Sequence, residues 1–369
     1  MRTAIRDDRG FLQAMLGDGR PPLLVLALGL LLSGLFALFL AATGQFLPHD
    51  ERFLGMTARE LCALHGCRIV HFMIHDRLAF GGTLAAVGVL YLWLVEFPLR
   101  RRRPWAWWLL LVSGAVGFGS FLAYRAYGYL DTWHAVATLA LLPCFVAGLA
   151  RSRPTLAEPR GVRSLLVPAV RVPWRSAHGV GRACLLAAAA GLVGAGLTIL
   201  AVGMTCVFVP QDVAYMGVSA ADLHALNPRL VPLIAHDRAG FGGGVCCAGL
   251  VVFFAVWCGE PSRSLWQALA LAGAAGFGCA IGAHPAVGYT DPVHLAPAVC
   301  GATFYLAGLL LTFRPMVRGA LPPSARGPVG TAVPSLPELR PELVRAAGGE
   351  PGAGRDCTAE RSPVYNNCR

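Results

Sequence analysis

His75-Asp76-Arg77-Leu78-Ala79-Phe80-Gly81-Gly82 returns as His236-Asp237-Arg238-Ala239-Gly240-Phe241-Gly242-Gly243, and each copy opens a long apolar run. Three more blocks repeat in the same order. Pro48, Asp50, Gly55, Glu60 and Leu61 align with Pro210, Asp212, Gly217, Asp222 and Leu223. Gly114, Gly117, Phe118 and Gly119 align with Gly273, Gly276, Phe277 and Gly278, and Gly128, Tyr129, Asp131 and His134 with Gly288, Tyr289, Asp291 and His294. The spacing between copies stays between 159 and 162 residues. Polar positions are kept while the apolar filler between them drifts, so the chain reads as a duplication whose polar residues carry the shared task.

Working outward, the filler is membrane-like. Apolar residues make up 56% of 369, charged residues 14%, and mean hydropathy is +0.58. A bilayer is crossed by about 20 apolar residues, and eight such stretches occur, near 22–46, 69–95, 105–124, 132–150, 183–207, 233–258, 264–283 and 292–313. The expected fold is all-α: a polytopic membrane protein of eight transmembrane helices in two tandem four-helix bundles. Each unit has an even number of spans, so both enter the membrane in one direction, related by a pseudo-two-fold axis along the membrane normal. The expected organisation is a first unit over 1–150, an Arg/Pro-rich cytoplasmic linker over 151–182, a second unit over 183–313 and a disordered tail over 314–369. The first apolar stretch is too long for a signal peptide's core and has a counterpart at 183–207, so it is expected to stay as a helix.

All 31 basic residues are arginine, and the formal charge is +11. Seven of them (Arg52, Arg59, Arg68, Arg77, Arg125, Arg229, Arg238) fall on one side of the expected topology and the other 24 on the opposite side. Orientation by cytoplasmic arginine accounts for this and puts both termini in the cytoplasm of a cell that inserts the chain in its plasma membrane. Lipid rather than nucleic acid is therefore the expected partner. Most of the cysteines lie in or beside apolar spans as small packing residues. Cys62 and Cys67, in the first outer loop, are either a disulfide or two idle thiols.

Ionisable groups inside a bilayer are costly and mark pairs, cavities or ligands. Here they gather on the outer side. His75, Asp76 and Arg77 begin the second span, and His236, Asp237 and Arg238 the sixth. Asp131 and His134 begin the fourth, and Asp291 and His294 the eighth. Two histidines on two helices of one bundle, His75 with His134 and His236 with His294, form the usual arrangement for holding haem iron from both sides, and imidazole suits other metals equally. In that reading Arg77 and Arg238 pair with propionates, Asp131 or Asp291 fixes a histidine tautomer from one turn away, and the Gly-Phe-Gly blocks let a flat macrocycle approach. The alternative is structural: ion-paired helix starts, aspartate N-caps and small-residue packing. His71 lies one turn before His75 but aligns with Pro232. The unrepeated His49, His65, His178, His224 and His284 read as ordinary. The outer loops are expected to form short helices with capping boxes at Thr57–Glu60 and Ser219–Asp222. They either lie over the bundle mouth or act as a lid with Asp50 and Asp212 reaching in.

With these residues in view, the pattern resembles haem A synthase, a family of eight-helix proteins made of two four-helix halves. His75, His134, His236 and His294 match its haem ligands, and Cys62 and Cys67 are similar to its paired loop cysteines. The resemblance implies haem b, an electron-transfer partner or a small lipophilic substrate, and oxidoreductase chemistry. Where the family has glutamate before its His-Arg, this chain has His71 before His-Asp-Arg. Two other readings stand beside it: a transporter or channel relaying protons through the His/Asp/Arg groups, and a non-redox membrane protein holding a divalent metal with His and Asp.

Overall fold

In the computed structural model, residues 11–122, 129 and 132–319 are described, and among them every regular element is helical. A short α1 (Phe11–Leu16) leads into α2 (Arg20–Thr43). The cap helices α3 (Pro48–Leu54) and α4 (Ala58–His65) follow, then α5 (Arg68–Leu94), α6 (Pro104–Leu122) and α7 (Thr132–Ser152). The order then repeats: α8 (Ala177–Met204), caps α9 (Pro210–Met216) and α10 (Ala220–Leu226), then α11 (Leu230–Cys258), α12 (Arg263–Val287) and α13 (Pro292–Val317).

Seven of these helices are long and apolar enough to cross a membrane: α2, α5 with its continuation to Leu99, α7, α8, α11, α12 and α13. The remaining expected span, at 105–124, coincides with the 19-residue α6. Burial divides them. The most apolar stretch of α5 is 83% buried and that of α11 67%, whereas those of α2, α7, α8, α12 and α13 are each 22% buried. A helix that is apolar all round and wrapped by protein is central; one that is apolar and uncovered faces lipid. Exposed Leu32 and Phe39 on α2, Leu139 on α7 and Leu310 on α13 make up such a lipid-facing surface.

Glycines decide how the central helices are held. A Cβ at Gly34 would run into the backbone of Ala85, and one at Gly242 into that of Leu200, so α2 packs closely on α5 and α8 on α11. Gly82 presses on Cys279 and Ala275 of α12, and Gly243 on Ser120 of α6. The sequence units therefore interlock. Helix α5 packs chiefly on α2 and α12, α11 on α8 and α6, and the two central helices touch each other. Two tandem four-helix bundles were expected; small residues on α5 and α11 also draw each of them against the other unit's third helix.

The linker is folded against the end of α5 and α11 opposite the cap helices. Ala157 N–H donates to the Arg102 carbonyl, Trp108 Nε1 to Arg160, and buried Arg182 donates to the carbonyls of Val170 and Trp257. At the opposite end, α4 and α10 carry the expected capping boxes, with Thr57 and Glu60 in one and Ser219 and Asp222 in the other. Cys62 and Cys67 are joined in a disulfide. The two caps knit across the units: Asn227 Nδ2 donates to the Leu54 carbonyl at 2.8 Å and Arg229 to that of Phe53 at 2.6 Å. Of the tail expected over 314–369, residues 314–317 instead close α13, and 320–369 lie outside the described residues.

Candidate functional site: a histidine cluster between the two units

The interlocking places His75 of α5 beside α12 and α13. Its Nε2 lies 3.3 Å from Nε2 of His284, and the rings of His75 and His294 are 5.8 Å apart. One nitrogen from each of His75, His284 and His294 lies within 4.8 Å of the others. Each histidine comes from a separate helix. His284 sits in the last turn of α12, and His294 in the first turn of α13, where Asp291 caps the helix by accepting from the His294 N–H at 2.8 Å.

Neighbours fix the ring tautomers. Asp76 Oδ1 lies 3.0 Å from His75 Nδ1, and the Tyr289 carbonyl lies 2.6 Å from His284 Nδ1. Carboxylate and carbonyl oxygens only accept, so both Nδ1 atoms carry protons. In the neutral rings both Nε2 atoms then present lone pairs, and these two point at each other across 3.3 Å. Two lone pairs repel at that distance, and a proton or a metal ion between them would relieve the repulsion. Second partners of this kind on the far ring nitrogen are what orient metal-binding histidines.

The surroundings are short of positive charge. Asp76 Oδ2 accepts from Arg238 Nε at 3.0 Å, and the same guanidinium pairs with Asp212 Oδ2 at 2.6 Å. Arg238 also donates to the Val207 carbonyl at 2.6 Å. Val207 is held at φ 64°, a strained conformation for a β-branched residue that turns its carbonyl to this task. Tyr289 donates to Asp212 Oδ1 at 2.8 Å. Burial together with Asp212 pushes the Tyr289 hydroxyl well above the usual phenol range, so it stays a donor. Asp76, Asp212, Arg238, His75 and His284 are all buried. Two carboxylates against one guanidinium leave one negative charge beside three imidazoles, and low dielectric makes that imbalance attractive to a cation.

At aligned positions in the first unit the same parts appear with different connections. Arg77 pairs with Asp50 at 2.9 Å and donates to the Gln45 carbonyl at 3.4 Å, and Tyr129 donates to Asp50 at 2.6 Å. His236 Nδ1 is 2.9 Å from Asp237 Oδ1, and its ring lies edge-on to Tyr129 at 4.9 Å. The side chains of Asp131 and His134 lie outside the described residues.

The expected residues are thus regrouped. His75 meets His284 and His294 of the other unit, because α12 is the helix packed on α5; its expected partner His134 has its side chain outside the described residues. Asp76 and Asp237 orient histidines, the task expected of Asp131 or Asp291, while Asp291 is an N-cap. Arg77 and Arg238 are neutralised by Asp50, Asp76 and Asp212, so they are not open to propionates. Of the Gly-Phe-Gly blocks, Gly117, Gly119 and Gly278 face open space, whereas Gly114 and Gly273 pack on Phe145 and Tyr305. His71 is exposed, and His178 lies in the first turn of α8.

Between His75 and His284 there is no room for a macrocycle; of the pairs expected to hold haem, His75 with His134 and His236 with His294, the first includes a side chain outside the described residues. Axial imidazoles stand about twice a metal–nitrogen bond apart, about 4 Å, with a macrocycle between them. His75 and His284 are in direct contact at 3.3 Å, with ring centroids 4.5 Å apart. Their spacing instead matches two ligands of one tetrahedral ion, for which bonds of 2.0–2.1 Å give about 3.3 Å. His284 is the residue that the sequence pattern misses. It aligns near Tyr124 and Arg125, so no repetition marks it. Family models, curated proteins and solved structures offer no match to this chain.

Proposed function

We propose that this chain is an eight-span plasma-membrane protein, built from two related four-helix units about an axis along the membrane normal. Both termini lie in the cytoplasm, and a divalent transition metal is bound near the outer face by His75, His284 and His294. The observation that carries the reading is the 3.3 Å contact between two tautomer-fixed Nε2 atoms, with a third imidazole alongside and one buried negative charge unbalanced. Asp76 and the Tyr289 carbonyl hold His75 and His284 in the metal-binding tautomer. The caps α3, α4, α9 and α10 lie over the site on its outer side. Three imidazoles leave a fourth coordination position for water or substrate, the arrangement of a catalytic metal site. The identity of the metal decides the chemistry: copper supports electron transfer, and zinc polarises a bound water.

The test is metal analysis of protein purified from cells grown with supplemented zinc and copper. Close to one equivalent is expected in wild type and in His236→Ala, with loss from His284→Ala and His294→Ala. Metal-free wild type, or His284→Ala that keeps its metal, overturns the reading. Asp76, buried beside His75, supports a second reading in which a proton occupies the gap and the groups relay protons. Metal-free protein whose His75 carries two nitrogen-bound protons by NMR favours that reading.

A further inference from the structure

The linker between the two units presents a surface that the histidine cluster does not use. Its backbone is fixed to the ends of the spans. Ala169 N–H donates to the Trp257 carbonyl, Trp257 Nε1 donates to the Leu166 carbonyl, and the Leu165 side chain is buried. Trp257 belongs to the last turn of α11, and α8 begins at Ala177, just after Trp174. Leu166 and Trp174 therefore stand at the level where the spans leave the apolar layer. The outward side chains there are apolar: Leu166 is 72% exposed, Val167 64% and Trp174 57%. A cluster of this kind, held in place and uncovered, marks a contact surface.

Arginines are set among these side chains. Arg163, Arg171 and Arg175 are exposed, and no aspartate or glutamate occurs from Pro159 to Gln211. The acids described at this end are held by other arginines. Asp18 and Glu96 pair with Arg20, Glu158 with Arg160, and Glu260 with Arg101 and Arg103. The terminal segments outside the described residues carry no acidic excess either. Three arginines stand against two aspartates in 1–10, and six against five acids in 320–369.

We infer that this surface seats the head groups of anionic phospholipids in the leaflet at that end of the spans. Leu166, Val167 and Trp174 enter the upper acyl region, and Arg163, Arg171 and Arg175 meet the phosphates. An indole ring and a long arginine stem both suit that boundary, being apolar in body and polar at the tip. Apolar burial and attraction to anionic lipid add to one another there. A zwitterionic head group offers the same apolar layer without the net charge that three arginines attract. An acidic protein would have to enter between the bilayer and a linker that Trp257 and α8 hold at its edge. The inference rests on the spans crossing a bilayer, and it is independent of any metal.

The experiment places the full-length protein in nanodiscs of phosphatidylcholine with increasing phosphatidylglycerol, and native mass spectrometry counts the lipids it retains. Incorporation into the discs tests the membrane reading separately. The triple variant Arg163→Gln, Arg171→Gln, Arg175→Gln is expected to retain phosphatidylglycerol at least tenfold more weakly, since each arginine at an anionic surface is worth roughly fivefold in affinity. Removing equal charge from exposed positions elsewhere at this end, by Arg151→Gln, Arg314→Gln and Arg318→Gln, is expected to weaken it less than twofold. The tryptophan emission that Trp174→Phe removes is expected to be quenched by lipids brominated high on the acyl chain. Equal falls in both triple variants, or Trp174 emission that the brominated lipid leaves unquenched, overturns the surface. Retention of phosphatidylcholine equal to that of phosphatidylglycerol overturns the anionic head group.

Discussion

Arg77 and Arg238 stand at aligned positions, yet one guanidinium spans two carboxylates and the other holds one. Arg238 ties α11 to α5 through Asp76 and to the cap helix α9 through Asp212. Arg77 ties α5 to the cap helix α3 through Asp50 and stops there. The closed connection lies beside the histidine cluster, and the open one beside a cavity between α2, α5, α6 and α7. Among the described residues, aligned arginines thus make different ion pairs, two carboxylates at Arg238 and one at Arg77, where that cavity lies alongside. The comparison teaches that repeated residues mark shared architecture, while the site lies where their connections differ.

The largest expected effect breaks that asymmetry directly. Arg238→Ala leaves Asp76 and Asp212 buried without their cation and should cost about 3–5 kcal/mol, seen as a large fall in melting temperature in detergent. Arg77→Ala frees one carboxylate beside a cavity that can admit water, so its cost should be at most half as great. Equal losses would mean that the two arginines are interchangeable supports. Next in size is Asp76→Asn. With its hydrogen bond to His75 Nδ1 weakened, metal affinity should fall about 10–100-fold, measured by competition with a chelator. Asp237→Asn should leave that affinity unchanged, because His236 lies outside the cluster. A fall of similar size in Asp237→Asn would place the metal elsewhere.

These contrasts also show where sequence reasoning stops. Polar blocks inside apolar runs stand out because burying them is costly, so His75, Asp76, Arg238, Asp212 and His294 could all be picked from the chain. The helices follow from apolar length, and the cap boxes from Thr57–Glu60 and Ser219–Asp222. Which helix faces which was not legible. Gly82 and Gly243 repeat like their neighbours, and nothing in one strand of sequence says that Gly82 seats Cys279 of the other unit. That seating assigns His75 its partners. His284 was hidden for the opposite reason: it has no counterpart, and a lone histidine before Pro285 looks like any helix end. Tyr289 orients it with a backbone carbonyl, a contact that leaves no trace in residue identity.

A smaller effect tests whether the two caps contribute alike. Thr57→Ala and Ser219→Ala each remove a side-chain acceptor from a helix N-terminus and should cost about 1 kcal/mol. Metal content should be unchanged, since neither residue touches the cluster. The first cap also carries the Cys62–Cys67 disulfide, so reduction should enlarge the Thr57→Ala penalty and leave that of Ser219→Ala alone.

The smallest effect is a pH dependence belonging to the first unit. Burial raises the Asp50 carboxyl, but His49, Arg77 and Tyr129 outweigh it, and the net shift is downward from the ordinary aspartate value. A carboxylate lowered by folding contributes stability that is complete above its unfolded pKa and is lost as pH falls through its folded one. The cap helix α3 should therefore hold firm above about pH 4 and loosen below it, when protonated Asp50 releases Arg77. Arg77 would then lack an ion partner. Hydrogen exchange of residues 48–54 should rise as pH falls below that point, after correction for the intrinsic rate. In Arg77→Gln the transition at 48–54 should move upward in pH, because part of what holds Asp50 ionised is gone. An unmoved transition would assign the Asp50 shift to His49 and Tyr129 instead of the arginine, and would remove the electrostatic half of the contrast between the two units.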